Sequence, residues 1–339
     1  MDRRLSPGDG LIVCSLDPQR RAAFDDLQFS YPLKLIQPKR RFKSDVQCVY
    51  VIGYGGGLVA GDRVRLKVSV EEGATLVMLT QGSTKVFKTR PDRYLSNFSF
   101  TSSTSPTTQL YRLSVAPSSF LVLLPAPVTC FSRSNYLQRQ AVHLADSSSS
   151  LVLLDWYTAG RVGMDDKAKG KGSEEWAFER YRSENEVWLE GRRIAKDVQL
   201  LEDESGAQAE ATTDAGAPPP PPASASSADP TTPPTTTTTY TPRVAPYSCY
   251  ATLFVFGPHV APLLSAIQST FSSLSQFAQP HPYSLVWSFS PLPGHPGGGG
   301  IARCAGVDSE SVREWVVQLL GGGGIGEMVG EDLWRTAFN

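Results

Sequence analysis

Four histidines, at 143, 259, 281 and 295, and five cysteines, at 14, 48, 130, 249 and 304, are the side chains of this chain best suited to hold a soft metal ion or attack a substrate. Their spacing suits neither task. No histidine stands four residues from another, none lies beside a cysteine, and there is no C-x-x-C pair, so the sequence carries no local zinc signature. A G-x-S-x-G nucleophile elbow is also missing. Cysteines separated by tens of residues read as reduced, mostly buried thiols and not as a disulfide framework. A hydrolase built on Cys130 or Cys304 is the enzymatic alternative, and it would need a histidine brought near only by folding. His295, within PLPGHPGGGG, reads as a loop residue.

The glycine cluster GYGGGLVAGD, residues 53–62, invites two phosphate-binding readings. Gly55, Gly56 and Gly57 with Ala60 fit G-x-G-x-x-A after the apolar run VQCVYVI, but a dinucleotide fingerprint must open a helix, and the residues that follow alternate as a strand. A P-loop would need Lys and Ser/Thr after the last glycine, whereas Gly61 is followed by Asp62 and Arg63, placing a carboxylate against the phosphates. The cluster therefore reads as a connection between strands.

Charge excludes a further class. Lys+Arg number 32 against Asp+Glu 33, and charged residues make up 19% of the chain, so there is no surplus of cations with which to neutralise nucleic-acid phosphates. The basic run KLIQPKRRFK, residues 34–43, reads as a solvated turn or a surface for an acidic partner. Glu184, Glu186, Glu190 and Asp197 straddle VWLEGRRI, a hairpin turning at Glu190 and Gly191, and read as exposed strand charges. No apolar run is long enough for a membrane helix and the N-terminus lacks a signal-peptide core, so a cytoplasmic location without membrane contact is expected.

The elements that must position these residues are mostly strands. DRVRLKVSVEE sets Val64, Leu66, Val68 and Val70 against Arg63, Arg65, Lys67 and Ser69, the period of a half-buried strand. Similar runs recur at 74–81, 108–115, 120–124, 137–144 and 151–156, separated by EEG, RPD, APSS and ADSSSS. Residues 163–174 read as a charged loop. Residues 205–246, with PPPPP and TTTTT, offer too little apolar surface to offset backbone ordering and are expected to remain disordered. A further strand follows at 249–257. Helical spacing appears in 258–278, in 307–320 and in 326–338, with Asp308 as the expected N-cap of the second. The expected fold is mainly β, a two-layered β-sheet scaffold with a few helices, mostly C-terminal. Residues 1–204 form its N-terminal part, 205–246 an insert, and 247–339 the remainder of the same domain.

These segments resemble one family. YPLKLIQP, YVIGYGGGLVAGDRVRL, LTQGSTKVFK, LLDWYTAGR and FERYRSENEVWLEGRRIAKD follow the order and spacing of the UreD urease accessory proteins in their fungal-like form. The closing IARCAGVDSESVREWV is similar to that family's last strand and helix. The resemblance implies a non-enzymatic, β-rich scaffold that binds apo-urease with UreF and UreG and passes nickel, in transit and not tightly held, through an internal polar channel. On the shared motifs it marks Gly55, Gly56, Gly57, Gly61, Lys85, Trp156, Gly160 and Arg161 as structural, and Asp62, Thr84, Asp155 and Asp197 as residues of the nickel path.

Chemistry constrains such a path. Imidazole and thiolate hold Ni²⁺ strongly, whereas carboxylates, hydroxyls and water bind it weakly enough for it to move on. Asp62, closing the glycine segment, is the first choice for an inward carboxylate, and capping the turn after Gly61 is its competing role. Asp155 and Asp197 have a competing role as acceptors from Arg161 or Arg192. Where the family often has Leu-Pro-Asp-Pro-Val, this chain has LPAPV, with Ala126 in place of the acid. A β-rich interaction module with no metal role is the alternative reading.

Overall fold

The structure is a computed structural model and describes residues 5–39, 45–88, 106–161, 174–203, 238, 240–275, 284–292 and 298–337. The RPD turn, Arg40, Arg41 and Lys43 of the basic run, all but the last residue of the 163–174 loop, residues 205–237 of the insert, His281 and His295 lie outside the described residues.

Strands are numbered in chain order. One sheet has seven: β1 (Asp9–Leu16), β2 (Ala22–Phe29), β6 (Arg63–Val70), β9 (Thr107–Val115), β12 (Asn135–Leu144), β14 (Arg180–Leu189) and β15 (Arg192–Glu202). The other has eleven. Its main path comprises β3 (Leu33–Ile36), β4 (Val46–Gly53), β7 (Thr75–Leu79), β10 (Phe120–Leu124), β13 (Ser150–Thr158), β16 (Cys249–Phe256), β17 (Leu285–Pro291) and β18 (Gly299–Gly306). The short β5 (Gly57–Leu58), β8 (Thr84–Val86) and β11 (Val128–Cys130) attach beside it.

From β6 onward the chain crosses from one sheet to the other and back. Each strand lies parallel to the one laid two crossings earlier: β6, β9, β12 and β14 in the first sheet, and β4, β7, β10 and β13 in the second. Parallel neighbours need a long crossover, and here the strand of the opposite sheet supplies it. After the insert, β16 pairs antiparallel with β13, and β18 and β17 extend that edge.

Burial follows this winding. The first sheet keeps the alternation read from the sequence: Val64, Leu66, Val68 and Val70 are buried, and Arg63, Arg65 and Lys67 are exposed. The second sheet does not, because β7, β10 and most of β13 are buried on both faces. Leu151, Leu153 and Tyr157 pack between the sheets, while Val152, Leu154 and Trp156 pack outward. That outer face is covered by α1 (Ala261–Ser275), α2 (Ser309–Gly322), α3 (Ile325–Val329) and α4 (Glu331–Ala337). Asp308 caps α2 as expected, its Oδ1 accepting the Ser311 N–H at 2.7 Å. The helical spacing of 326–338 resolves into two short helices broken at Gly330, whose φ is +103°. None of the described helices is long and apolar enough to cross a membrane.

Two expectations are corrected. At the end of the insert Thr238, Tyr240 and Val244 are buried while Pro242, Arg243, Ala245 and Pro246 stay exposed: Tyr240 is 5% exposed, and its hydroxyl donates to the carbonyls of Trp176 and Phe178. An aromatic ring with two carbonyl acceptors in reach gains enough by burial to order its segment. Of the four residues read as exposed strand charges only Glu190 is exposed; Glu184 and Asp197 are largely covered and ion-paired to arginines, and Glu186 is buried. It is 3% exposed and bridged to Arg139, Arg193 and Lys196. The hairpin itself is as read, turning through Glu190 (φ 50°) and Gly191 (φ 77°).

Candidate functional site

A seam of polar side chains crosses the space between the sheets. Because the parallel strands run in step, equivalent positions stack into rungs. One rung of the first sheet is Gln109, Gln138, Ser183 and Gln199, and the next is Tyr111, Gln140, Asn185 and Asp197. Facing them, the second sheet presents Asp155, Thr252 and Arg303, themselves register partners. From β7 to β18 this is four strand spacings, roughly 19 Å.

Asp155 occupies the middle. It is 3% exposed and sits at an inward position of β13, where alternation would otherwise place a core aliphatic. Its Oδ1 accepts from Gln138 Nε2 at 3.0 Å, and its Oδ2 accepts from Ser183 Oγ and Asn185 Nδ2, each at 2.6 Å. The donors are themselves fixed: Asn185 Oδ1 accepts from Gln140, and Gln138 Oε1 accepts from the Tyr136 hydroxyl. Among the described residues no cation is paired with the carboxylate. Burial pushes its pKa above the usual carboxylate range, against the three hydrogen bonds that lower it, and nearby Asp197 pushes it further up.

At one end, a cavity of about 20 Å³, room for one water, is lined by Thr80, Thr84, Ala126, Gln138, Gln140 and Asp155 among others. Thr80 and Ala126 are tied together, the Ala126 N–H donating to Thr80 Oγ1 at 2.7 Å. At the other end Arg303 Nη2 donates to Asp197 Oδ1 at 2.7 Å, joining β18 to β15 across the interior, and Gln199 Nε2 donates to Thr252 Oγ1 at 2.7 Å. Two buried atoms along the seam, Tyr181 Oη and Gln199 Oε1, have no hydrogen-bond partner among the described residues. A stack of Tyr136, Tyr181, Tyr157 and Tyr250 walls one side.

Of the four residues assigned to the path, folding brings Thr84, Asp155 and Asp197 to this seam and leaves Asp62 apart. Asp62 Oδ2 accepts the Val59 N–H at 2.8 Å and caps the turn of the glycine segment; burial is the larger influence on it and raises its pKa. The competing acceptor roles fall elsewhere than expected. Arg161 pairs with Glu174 through Nε–Oε2 at 2.7 Å and Nη2–Oε1 at 2.5 Å, and lies over the Phe131 ring, while Asp197 is held by Arg303 and not by Arg192.

The other motif residues shape the surroundings. A Cβ on Gly57 would stand 2.5 Å from the Lys85 carbonyl oxygen, so glycine is what lets β5 lie against β8. Gly160, at φ +108°, would meet the carbonyls of Glu174 and Cys130. Gly55 and Gly56 face open space with positive φ, and Gly61 also has a positive φ, +83°. Trp156 Nε1 donates to the Pro125 carbonyl at 2.7 Å, anchoring the Ala126 loop, and the Lys85 side chain is exposed.

The described residues do not assemble an exposed, activated thiol for the cysteine-hydrolase alternative. All five cysteines are buried and free, with burial pushing the thiols of Cys14, Cys48, Cys130 and Cys249 up to about 12 and that of Cys304 further. Ser150 Oγ lies 2.9 Å from His259 Nδ1, but Ser150 is fully buried, its Oγ accepts the His259 backbone N–H, and the imidazole is stacked flat on Phe120. Among the described residues no three His, Cys, Asp or Glu side chains gather as a resident metal would require.

Sequence reading missed the rungs themselves. The signal was faint: Gln138 and Gln140 share a phase with Tyr136 and Val142, and Ser183 and Asn185 share one with Tyr181 and Val187, so small polar residues sit on the buried face of otherwise ordinary strands.

Comparison with known proteins gives a consistent result. The sequence pattern of the family described as UreD urease accessory protein matches residues 11–219. Urease accessory protein 4 of Cryptococcus neoformans var. grubii is 33% identical over 98% of this chain and 95% of its own length. Urease accessory protein D of Oryza sativa subsp. japonica is 30% identical over 84% of this chain and 82% of its own. Urease accessory protein UreD of Sorangium cellulosum is 32% identical over 83% and 69%. With its parallel windings, glycine segment and polar rungs all lying within or beside the matched span, the chain belongs to the UreD urease accessory protein family.

Proposed function

We propose that this chain is a urease maturation factor that acts as a scaffold and not as a catalyst. It docks on apo-urease with UreF and UreG and passes nickel to urease along the seam between its sheets. The observation that carries the reading is Asp155: a buried carboxylate held only by neutral donors, in a row of amides and hydroxyls that runs from the Thr84 and Ala126 end to the Asp197–Arg303 pair.

An uncompensated carboxylate inside a protein is costly, and a divalent cation beside it removes the cost. Ni²⁺ arriving at Asp155 releases whatever proton the raised pKa retains, and oxygen and amide donors then hold the ion weakly enough to hand it on. Space for one water does not admit a hydrated ion, so passage requires shed waters and a slight parting of the sheets. Thr84 and Asp197 are the flanking oxygen donors. Asp62 acts through the glycine-segment turn that it caps, and Ala126 leaves the first end without an acid.

The test is reconstitution with apo-urease, UreF, UreG and nickel. Asp155→Asn should still form the accessory complex by gel filtration, while the nickel content and activity of urease fall by about tenfold or more. Full activation by Asp155→Asn would remove the seam from the mechanism and leave the interaction module without a metal role.

A further inference from the structure

The outer face of the first sheet, turned away from the seam, carries a groove of about 810 Å³ that crosses β1, β6, β9, β12 and β14. Its charges are paired with one exception. Arg65 Nε donates to Asp9 Oδ1 at 2.7 Å, and Arg139 bridges Glu184 and Glu186. Glu186 is shared by Arg139, Arg193 and Lys196, and although burial opposes it, Arg139 and Lys196 hold its carboxyl below the usual range. Lys67 and Arg112 break the pattern. They are direct register partners on β6 and β9, both are exposed, and among the described residues no carboxylate lies within 4 Å of either. The next strand adds only Ala141 beside Arg112, and the field of Arg112 is felt at His143, whose pKa is lowered by burial and then by that cation.

Like charges placed opposite one another on neighbouring strands destabilise a sheet. Stability alone therefore gives no reason for Lys67 against Arg112 on a face where acids otherwise meet bases. The groove beside them has shoulders of apolar carbon that a free inorganic anion would leave unused, Leu110 at 36% exposure and the part of the Trp188 ring not covered by His143 and Arg193.

We propose that this groove docks an acidic, extended segment of a partner protein, its carboxylates seated between Lys67 and Arg112 and its apolar side chains on Leu110 and Trp188. The site is on the opposite face from the nickel path and stands or falls independently of it. Five strands span roughly 19 Å, the length of an extended segment of about six residues. A short peptide held by charge at the centre and apolar contact at the shoulders fits both the length and the lining.

The test is fluorescence anisotropy on the full chain with a labelled octapeptide of alternating Leu and Glu, compared with its Leu and Lys counterpart. Saturable binding of the acidic peptide alone is expected, weakened about tenfold by Lys67→Glu with Arg112→Glu, and weakened by raising salt from about 0.05 to about 0.3 M. The single variant Lys67→Glu should lose binding while its thermal midpoint rises, because it converts a like-charge contact into an ion pair; loss of binding with a raised midpoint cannot come from misfolding. Equal binding of both peptides, or an unchanged affinity in the double variant, would overturn the proposal. So would displacement by inorganic phosphate at matched concentration, which would make the site a free-anion site. Tighter binding after excision of residues 205–237, which carry Glu210, Asp214 and Asp229 and no Lys or Arg, would also overturn it, by making the chain its own ligand.

Discussion

Asn185 on β14 donates its amide N–H to Asp155 on β13 at 2.6 Å, across the interior between two sheets that share no backbone hydrogen bond in their ladders. The contact ties the two layers together at the carboxylate of the seam's centre, whose pKa burial raises against this and two other hydrogen bonds.

The charge state gives the first prediction. A folded-state pKa above the unfolded value of 3.8 means that the folded chain holds more protons than the unfolded chain between the two. The contribution of Asp155 to stability is therefore complete below about pH 3.8 and is lost as pH rises through its folded pKa. Urea titrations of the wild type and Asp155→Asn should show the wild type losing ground to the variant from about pH 4 upward; a pH-independent difference would refute the shift.

Within the glycine segment, two substitutions should separate. Gly57→Ala places a methyl 2.5 Å from the Lys85 backbone oxygen, which cannot swing away, and should cost about 3 kcal/mol. Gly55→Ala meets open space and has only its positive φ to accommodate, about 1 kcal/mol. Thermal melts that rank the two the other way would contradict the packing of β5 against β8.

Burial of the cysteines should be visible chemically. With thiols at about 12, roughly one in ten thousand is ionised at about pH 8, and none is reachable. Labelling by a thiol reagent should follow the urea unfolding curve. Rapid labelling of Cys130 or Cys304 in the native protein would reopen a catalytic thiol.

Tyr240 should behave as a core residue despite its setting at the end of a Pro- and Thr-rich stretch. Tyr240→Ala removes a ring packed on Trp176 and Phe178 and should cost about 3 to 5 kcal/mol, while Tyr240→Phe loses only the hydroxyl bonds, about 1 kcal/mol. Equal, negligible effects by urea denaturation would mean that the segment is not anchored.

Much of the fold was legible locally. The alternation of Val64 to Val70 against Arg63 to Lys67, the hairpin at Glu190 and Gly191, and the Asp308 cap are properties of a few consecutive residues, and each reads the same in the structure. Runs such as 120–124 were legible as strands but not as strands buried on both faces, because an apolar run does not say what covers it. Glu186 and Tyr240 were misread for a related reason: their partners, Arg139 and Trp176, lie 47 and 64 residues away.

By itself the sequence determined a mainly β scaffold with C-terminal helices, the absence of nucleotide and nucleophile motifs, and, through five separated segments, the family. Tertiary structure decided the site. Asp155, Gln138, Ser183 and Asn185 converge only because parallel strands laid two crossings apart run in step, and register is a relation between distant segments that no local spacing encodes. The same register set Lys67 against Arg112 on the opposite face and left Asp62, the most conspicuous carboxylate in the linear motif, to cap a turn.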